Sequence, residues 1–147
     1  MAMQTYDPTK VTVSVAGIPL TQFAKGNFVT VEYDSDAFTD EVGVGGEVVR
    51  VRSADQRATV KVTLMRASPS NDELSALAQL DRLTGQGLGA VQVKDATGTS
   101  VHHAEVGWVK KIPSAPYATE AESVEWEIRC AKLESTVGGT ISSSPSV

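Results

Sequence analysis

Short runs in which apolar residues occupy every second position dominate this sequence. In residues 58–65, for example, Val60, Val62 and Leu64 alternate with Lys61 and Thr63. This period of two is that of a strand with one buried face, because successive side chains of a strand point to opposite sides. The pattern recurs in residues 10–15, 28–33, 47–53, 90–95, 100–109 and 123–133. The sequence therefore predicts a mainly β fold built of antiparallel hairpins.

One segment has helical spacing instead. Leucine recurs at every third position between residues 74 and 83, as on the buried stripe of an amphipathic helix. Ser70 and Glu73 have the spacing of a capping box, and Gly85 stands where a C-terminal cap is expected. We predict one α-helix over about residues 70–84, packed by its narrow leucine stripe on an antiparallel β-sandwich or barrel.

The connections predict how these elements are joined. The connection at residues 34–46 is longer than the about 2–5 residues usual in a hairpin, so we expect a long loop there. Residues 47–53 and 58–65 are expected to pair as a hairpin. A chain of 147 residues fits one domain. We predict a single β domain at residues 1–139 and a flexible, serine-rich C-terminal tail at residues 140–147.

Charge and composition restrict the kinds of partner. The net charge is −5 at pH 7, which argues against a surface that grips nucleic-acid phosphates. Six carboxylates and no lysine or arginine lie between residues 32 and 47, the composition of a solvated acidic loop. No run approaches the ~18 apolar residues of a membrane helix, and residues 1–10 lack the apolar core of a signal peptide. We expect a soluble protein, made in a reducing compartment, that does not insert into membranes.

The acidic and histidine positions do not form a metal site. Asp34 and Asp36 have the spacing of the first two ligands of a calcium loop, but Phe38 occupies its fifth position and Gly45 its twelfth. The adjacent histidines at 102 and 103 lie on a predicted strand, so they point to opposite faces and cannot share one ion. We predict no metal and no cofactor.

No nucleophile or phosphate site is indicated either. The glycines between residues 43 and 46 lead into a strand, whereas a phosphate cradle leads into a helix N-terminus. Cys130 alternates in phase with Trp126 and Ile128, which predicts a core position. Trp108 and Trp126 both lie on apolar strand faces and are interpreted as core residues. With no catalytic residue in any tested pattern, the chain is predicted not to be an enzyme.

Several stretches together resemble a known family. They are MQTYDPTKV from residue 3, VSVAGIPL from residue 13, ASPSND from residue 67, VQVKD from residue 91 and WEIRCAKLE from residue 126. In order and spacing they resemble the tail tube proteins of contractile-tailed, myovirus-type bacteriophages, over residues 3 to 139. The segment at residues 140–147 is outside the resemblance.

The resemblance implies a structural function by self-assembly. Members of this family form hexameric rings that stack into the hollow inner tube of the virion tail, through which DNA is ejected without specific binding. The expected partners are further copies of the chain, with the sheath, baseplate and tape-measure proteins. Assembly is expected in the host cytoplasm.

The resemblance also suggests candidate residues at two kinds of surface. The segment at residues 34–46 would contact the neighbouring ring, through Asp36, Phe38, Asp40, Glu41, Val42 and Val44. The residues expected to face the lumen are Thr30, Glu32, Glu125 and Glu127. A surplus of carboxylates there would avoid holding DNA, since each lysine or arginine on a phosphate adds affinity. Alternation alone does not select the luminal face.

Three alternatives stay open at this point. The chain is compatible with the tube of a phage-tail-like bacteriocin, which need not conduct DNA. It is also compatible with the tube of a type six secretion system. A monomeric β module that binds a partner or carbohydrate is less favoured, because such a module exposes aromatic residues and the few aromatics here lie mostly on apolar strand faces.

Overall fold

The secondary structure follows the predicted order of strands, one helix and further strands. The computed structural model describes residues 4–114 and 117–139, so the predicted tail at 140–147 lies outside the described residues. The elements are a 3-10 turn, Pro8–Lys10, then β1 Val11–Val15, β2 Ile18–Pro19, β3 Val29–Tyr33, β4 Phe38–Val42, β5 Val48–Arg52, β6 Ala58–Leu64, α1 Ser70–Thr84, β7 Gly89–Asp95, β8 Val101–Val109, β9 Val124–Cys130 and β10 Leu133–Thr136. Within the described ranges, no helix has the length and apolar character needed to span a membrane.

Eight strands form one antiparallel sheet. Its order is β2-β1-β7-β8-β9-β6-β3, with β10 paired to the first half of β8. Residues of β1 and β7 pack in the same core as residues of β6 and β9, so the sheet folds back on itself. The mainly β class with one helix is confirmed.

The core contains side chains that the alternation of apolar and polar residues predicted to point inward. Val60, Val62 and Leu64 of β6 are fully buried, and Ile128 and Cys130 of β9 are buried beside them. The cross-strand register places Val60 opposite Ile128 and Val62 opposite Trp126. Cross-strand apolar pairs of this kind stabilise a sheet because they pack on one face.

The helix has the predicted bounds, but its start differs from the prediction. Gly85 ends it with a φ of 71°, a conformation that glycine adopts without a steric penalty. The expected capping box is wrong: Pro69 is the N-cap residue, and the Ser68 hydroxyl accepts from the backbone N–H of Ser70 at 3.3 Å. The hydroxyl of Ser70 instead accepts a hydrogen bond of 3.0 Å from the backbone N–H of Thr21. Ser70 therefore fastens the helix to the segment after β2.

Only the first half of the leucine stripe is buried. Leu74 is inaccessible to solvent and Leu77 packs partly against the core. Leu80 is 48% exposed and Leu83 is 85% exposed. The helix contacts β2 and β8, and the exposure of its leucines rises toward its C-terminus.

The pairing of residues 47–53 corrects two predictions. Residues 34–46 are not a loop, because they contain β4, which pairs with β5 from Phe38 opposite Arg52 to Val42 opposite Val48. The predicted hairpin of residues 47–53 with 58–65 is also wrong. Both edges of β6 are taken, one by β3 and the other by β9, so β5 has no place beside it.

Candidate assembly surfaces

The β4–β5 hairpin forms an arm, defined here as residues 38–52. It is a two-stranded sheet separate from the main one. Every residue of both strands is exposed. An isolated two-stranded hairpin is marginally stable in water, because neither face is covered. Both faces of the arm are therefore accessible to another chain.

The two faces of the arm differ in charge. One face carries Phe38, Asp40 and Val42 beside their cross-strand partners Arg52, Arg50 and Val48. On this face the Arg50 guanidinium lies over the Phe38 ring, 4.0 Å from its centre. The other face carries Thr39, Glu41, Val49 and Val51. Of the two acids of β4, Asp40 thus lies between arginines of β5, while Glu41 lies on the face without a basic residue.

A tight turn closes the tip of the arm. Gly43 N–H donates to Glu47 O at 2.7 Å, and Gly46, with a φ of 86°, donates to Gly43 O at 3.0 Å. Val44 is fully exposed at this tip. The glycines reverse the chain, which explains them without a phosphate ligand.

The predicted contact residues therefore divide among three places. Phe38, Asp40, Glu41 and Val42 lie on β4, Val44 lies at the tip, and Asp36 precedes β4 near the main sheet. Sequence reasoning predicted a strand at residues 47–53 but paired it with residues 58–65, so it left Val49, Val51 and Arg50 out of the candidate contact residues. The signal was present as a glycine-rich turn between two five-residue runs of strand-like composition, a hairpin pattern.

The four residues predicted to face a lumen lie on one face of the main sheet. Thr30 pairs with Lys61, which pairs with Glu127, and Glu32 pairs with Thr59. Glu125 lies opposite Thr63 on the same side. This polar face, the outer side of β3, β6 and β9, is opposite the buried valines. The structure brings the four residues together, while their luminal position remains a proposal.

Charges on the polar face alternate in sign. Lys61 Nζ lies 4.0 Å from a Glu32 oxygen, and Lys110 Nζ lies 3.6 Å from a Glu127 oxygen. The Arg129 guanidinium is hydrogen-bonded to the Asp34 carboxylate. Three acids of this face, Glu32, Glu127 and Asp34, thus each have a basic neighbour.

The outer edge of β3 has no partner among the named strands of the described residues. β3 is the last strand of the sheet order and bonds only to β6 among the described strands. Phe28 O accepts from Thr63 N at 2.8 Å and Asp34 N donates to Arg57 O at 3.1 Å, so even-numbered residues bond to β6. Alternate residues of an antiparallel strand point to opposite edges, so the backbone N–H and C=O groups of Val29 and Val31 face outward.

A groove runs beside this edge, with a volume of about 590 Å³. Its apolar lining comes from Val11 of β1, Val93 of β7, and Val29 and Val31 of β3. Val93 is a buried core residue, while Val11, Val29 and Val31 are partly buried and pack against the core on one side. A free strand edge beside apolar surface is a ready site for another chain.

The histidine and cysteine positions agree with a structural role. His102 Nδ1 lies 2.7 Å from Ser135 Oγ, and burial lowers the pKa of His102. Burial raises the pKa of the Cys130 thiol to about 11, so at neutral pH the thiol is protonated and a poor nucleophile. No group of three or more potential ligands for a metal occurs in the part of the chain that the structure describes.

The two tryptophans have different environments. Trp126 is 2% exposed, and its Nε1–H donates to Asn71 Oδ1 at 2.9 Å, linking β9 to the start of α1. Trp108 was predicted in the core, but it pairs with Arg129 across the strands and lies half-buried on the polar face. The prediction failed because the β7–β8 register shifts between Gly89 and Val91: β8 advances three residues, from Ala104 to Gly107, where β7 advances two, so its inward phase changes.

Comparison with known proteins finds a phage tail tube family and a phage structural protein. The family model described as the bacteriophage PhiTE tail tube protein matches residues 3–138. A structural protein, ORF10 of Pseudomonas phage KPP10, is 30% identical over 149 aligned residues, covering 96% of this chain and 86% of that protein.

Solved structures with little sequence identity share the fold. The sheath/tube terminator of the extracellular contractile injection system PVC has a TM-score of 0.62 at 12% identity, covering 93% of this chain and 100% of the other. A chain of the PVC sheath–tube complex has a TM-score of 0.61 at 12% identity, covering 90% and 91%. The tube-terminating cap of the anti-feeding prophage has a TM-score of 0.57 at 8% identity, covering 92% and 93%.

Proposed function

This chain belongs to the family of the bacteriophage PhiTE tail tube protein, a family of structural proteins and not of enzymes, and from that premise we propose how it builds a tail. We propose that it forms hexameric rings that stack into the hollow inner tube of a contractile virion tail, the conduit for DNA ejection. The observation that carries the proposal is the arm, a two-stranded sheet exposed on both faces.

The arm suits a contact between rings. A surface on one subunit that fits a different surface on the next makes a head-to-tail contact, which can continue without limit along an axis. The arm presents apolar side chains on both faces, including Phe38, Val42 and Val49. Burying them against a neighbour gains roughly 25 cal/mol per Å² of apolar surface. We assign Asp36, Asp40, Glu41 and Val44 to the same contact.

The free edge of β3 suits a contact within a ring. Pairing with the adjacent subunit would satisfy the outward backbone groups of Val29 and Val31 and cover the groove beside them. Six such contacts would close the ring and join the polar faces into one wall.

The polar face would then line the lumen. Thr30, Glu32, Glu125 and Glu127 would face the passing DNA together with their basic neighbours. Paired charges leave few lysines or arginines free to grip phosphates, so affinity for DNA stays low. The affinity for DNA can therefore be low without a surplus of carboxylate side chains on this face.

The remaining partners follow from the same assembly. A chain of the same fold occurs in the PVC sheath–tube complex, which supports a sheath around this tube as well. Baseplate and tape-measure proteins complete the proposed set, with assembly in the host cytoplasm before incorporation into the virion tail.

Negative-stain electron microscopy of the purified full chain tests the proposal. We expect hollow tubes of stacked six-membered rings at high protein concentration. A protein that stays monomeric at every concentration would overturn it. Single rings that never stack would favour a tube terminator, the role named for two proteins of this fold. DNA inside the tubes of ejecting particles would separate a phage tail from a bacteriocin or secretion tube.

Blocking the β3 edge should weaken ring formation. Val31→Pro removes an outward N–H without removing a hydrogen bond to β6, and proline is tolerated at strand edges. We expect about fivefold more protein to be needed for assembly, because a hydrogen bond of roughly 1 kcal/mol is lost at each of the proposed contacts. Sedimentation measures the threshold.

Val31→Ala is the matched control, since it shortens the side chain but keeps the backbone N–H. It should assemble at a lower concentration than the proline variant, because it loses only apolar surface and keeps the hydrogen bond. Equal thresholds for the proline variant and the wild type would exclude this edge from the ring contact.

A further inference from the structure

The arm joins the main sheet at a break in the backbone hydrogen bonding. The β3–β6 ladder ends where Asp34 N donates to Arg57 O at 3.1 Å, and pairing resumes where Ser53 N donates to Ala37 O at 2.8 Å. Residues 35–36 on one side face residues 54–56 on the other, so the two sides are unequal in length. Such an interruption can act as a hinge unless side chains hold it.

A partly exposed ion pair ties the first side of this junction to β9 of the main sheet. Arg129 Nη1 donates to Asp34 Oδ1 at 3.1 Å, and Nη2 donates to Asp34 Oδ2. Arg129 Nη1 also donates to Thr59 Oγ1 at 3.1 Å. The Arg129 and Asp34 side chains are only 20% and 21% exposed. The two-pronged geometry fixes direction as well as distance, because both planar groups must align.

A second set of bonds spans the junction itself. Arg57 donates to Asp55 through Nε at 2.9 Å and Nη2 at 3.0 Å, and Ser35 Oγ donates to Asp55 Oδ2 at 2.9 Å. Hydrogen bonds from Arg57, and next from Ser35, hold the pKa of Asp55 below its usual range. Gln56 O accepts from Leu133 N at 3.1 Å, which anchors this side to β10. The two sides of the junction are thus held to different strands of the main sheet: Asp34 is bonded to β9 and Gln56 to β10.

We propose that this root cluster, formed by Asp34, Ser35, Asp55, Arg57 and Arg129, sets the direction of the arm before assembly. Asp34 and Arg129 are the positioning residues, and the inference rests on the proposed inter-ring function of the arm. A binding element held in its bound direction loses less conformational freedom on association, so it binds at lower concentration. The cluster acts on assembly more than on folding, because it lies at the end of the ladder, outside the buried core.

Replacing Arg129 by glutamine tests the cluster in the full chain. We expect Arg129→Gln to fold, to exchange amide hydrogens faster at residues 34–37 and 53–57, and to need about tenfold more protein for tube formation. Tenfold corresponds to about 1.4 kcal/mol per contact. Lys61→Gln is the matched control, since it removes the same charge from the polar face but lies in the separate Lys61–Glu32 pair. Lys61→Gln should match the wild type in amide hydrogen exchange and in the protein concentration needed for tube formation.

A charge exchange distinguishes positioning from simple loss of charge. The double variant Asp34→Arg with Arg129→Asp restores an ion pair and should recover most of the assembly lost in Arg129→Gln. If Arg129→Gln does not fold, Asp34→Asn, which retains the arginine, is measured in its place with the same expected result. Wild-type assembly and unchanged exchange at the junction would overturn the proposal.

The outcome also separates this inference from the proposed function. Normal tubes from a subunit without its arm would refute the inter-ring role and the positioning role together. Loss of tubes on arm removal, combined with wild-type assembly of Arg129→Gln, would refute only the positioning role.

Discussion

Removing the arm should leave a folded subunit that no longer forms tubes. The change replaces residues 38–52 by Asn-Gly, a pair that favours a two-residue hairpin turn. Ala37 O and Ser53 N are already hydrogen-bonded at 2.8 Å, so the turn joins ends that lie together. No residue of β4 or β5 belongs to the core. Circular dichroism should show a folded protein with a melting temperature near that of the wild type, and electron microscopy should show no tubes.

The strand pairing decides where this deletion must begin and end. Removing residues 36–45, the centre of the predicted loop, would delete β4 and leave β5 exposed without a partner. Such a chain could aggregate through its free strand, and absence of tubes would then be uninformative. A milder variant, Val49→Ser with Val51→Ser, keeps the arm and removes apolar surface from one face, so it should assemble only at raised concentration. Tubes from the arm-deleted subunit at the wild-type threshold would contradict the proposed inter-ring contact.

Truncating Trp126 should have the largest effect on folding stability. Its side chain is 2% exposed and lies in the centre of β9. Trp126→Ala would leave a cavity in the core and remove the Nε1–H donor to Asn71 Oδ1. Substitutions of this kind cost about 3–5 kcal/mol, which lowers the melting temperature of a domain of this size by roughly 10 °C. Thermal unfolding followed by circular dichroism measures the change.

An exposed leucine on the attached helix provides the control. Leu83→Ala removes a comparable apolar side chain, but Leu83 is 85% exposed, so its effect should stay within about 0.5 kcal/mol. Trp126→Phe retains most of the ring volume and should fall between the two. A Trp126→Ala protein as stable as Leu83→Ala would show that the β9–α1 contact is not part of a tightly packed core.

The features that sequence predicted well are local ones. The alternation in β6 and β9 identified their buried faces, and Gly85 marked the end of the helix. The capping box failed, although its spacing was correct, because the Ser70 hydroxyl is used by Thr21 from a distant segment. The candidate contact residues were chosen because the segment at residues 34–46 is long and acidic. The strand that pairs with them, β5, was predicted to pair with residues 58–65 instead of β4.

The sequence by itself determined the helix, most of the strands and the side chains that β6 and β9 turn inward, because the periods of strand and helix are properties of the local backbone. Only the tertiary structure decided which strands pair. β3 and β9 occupy both edges of β6, and β4 and β5 are left to pair with each other as an arm. The ion pair at the root of that arm joins Asp34 and Arg129, which are 95 positions apart in the chain. No periodic pattern links residues so distant, because their contact arises from the order of the strands.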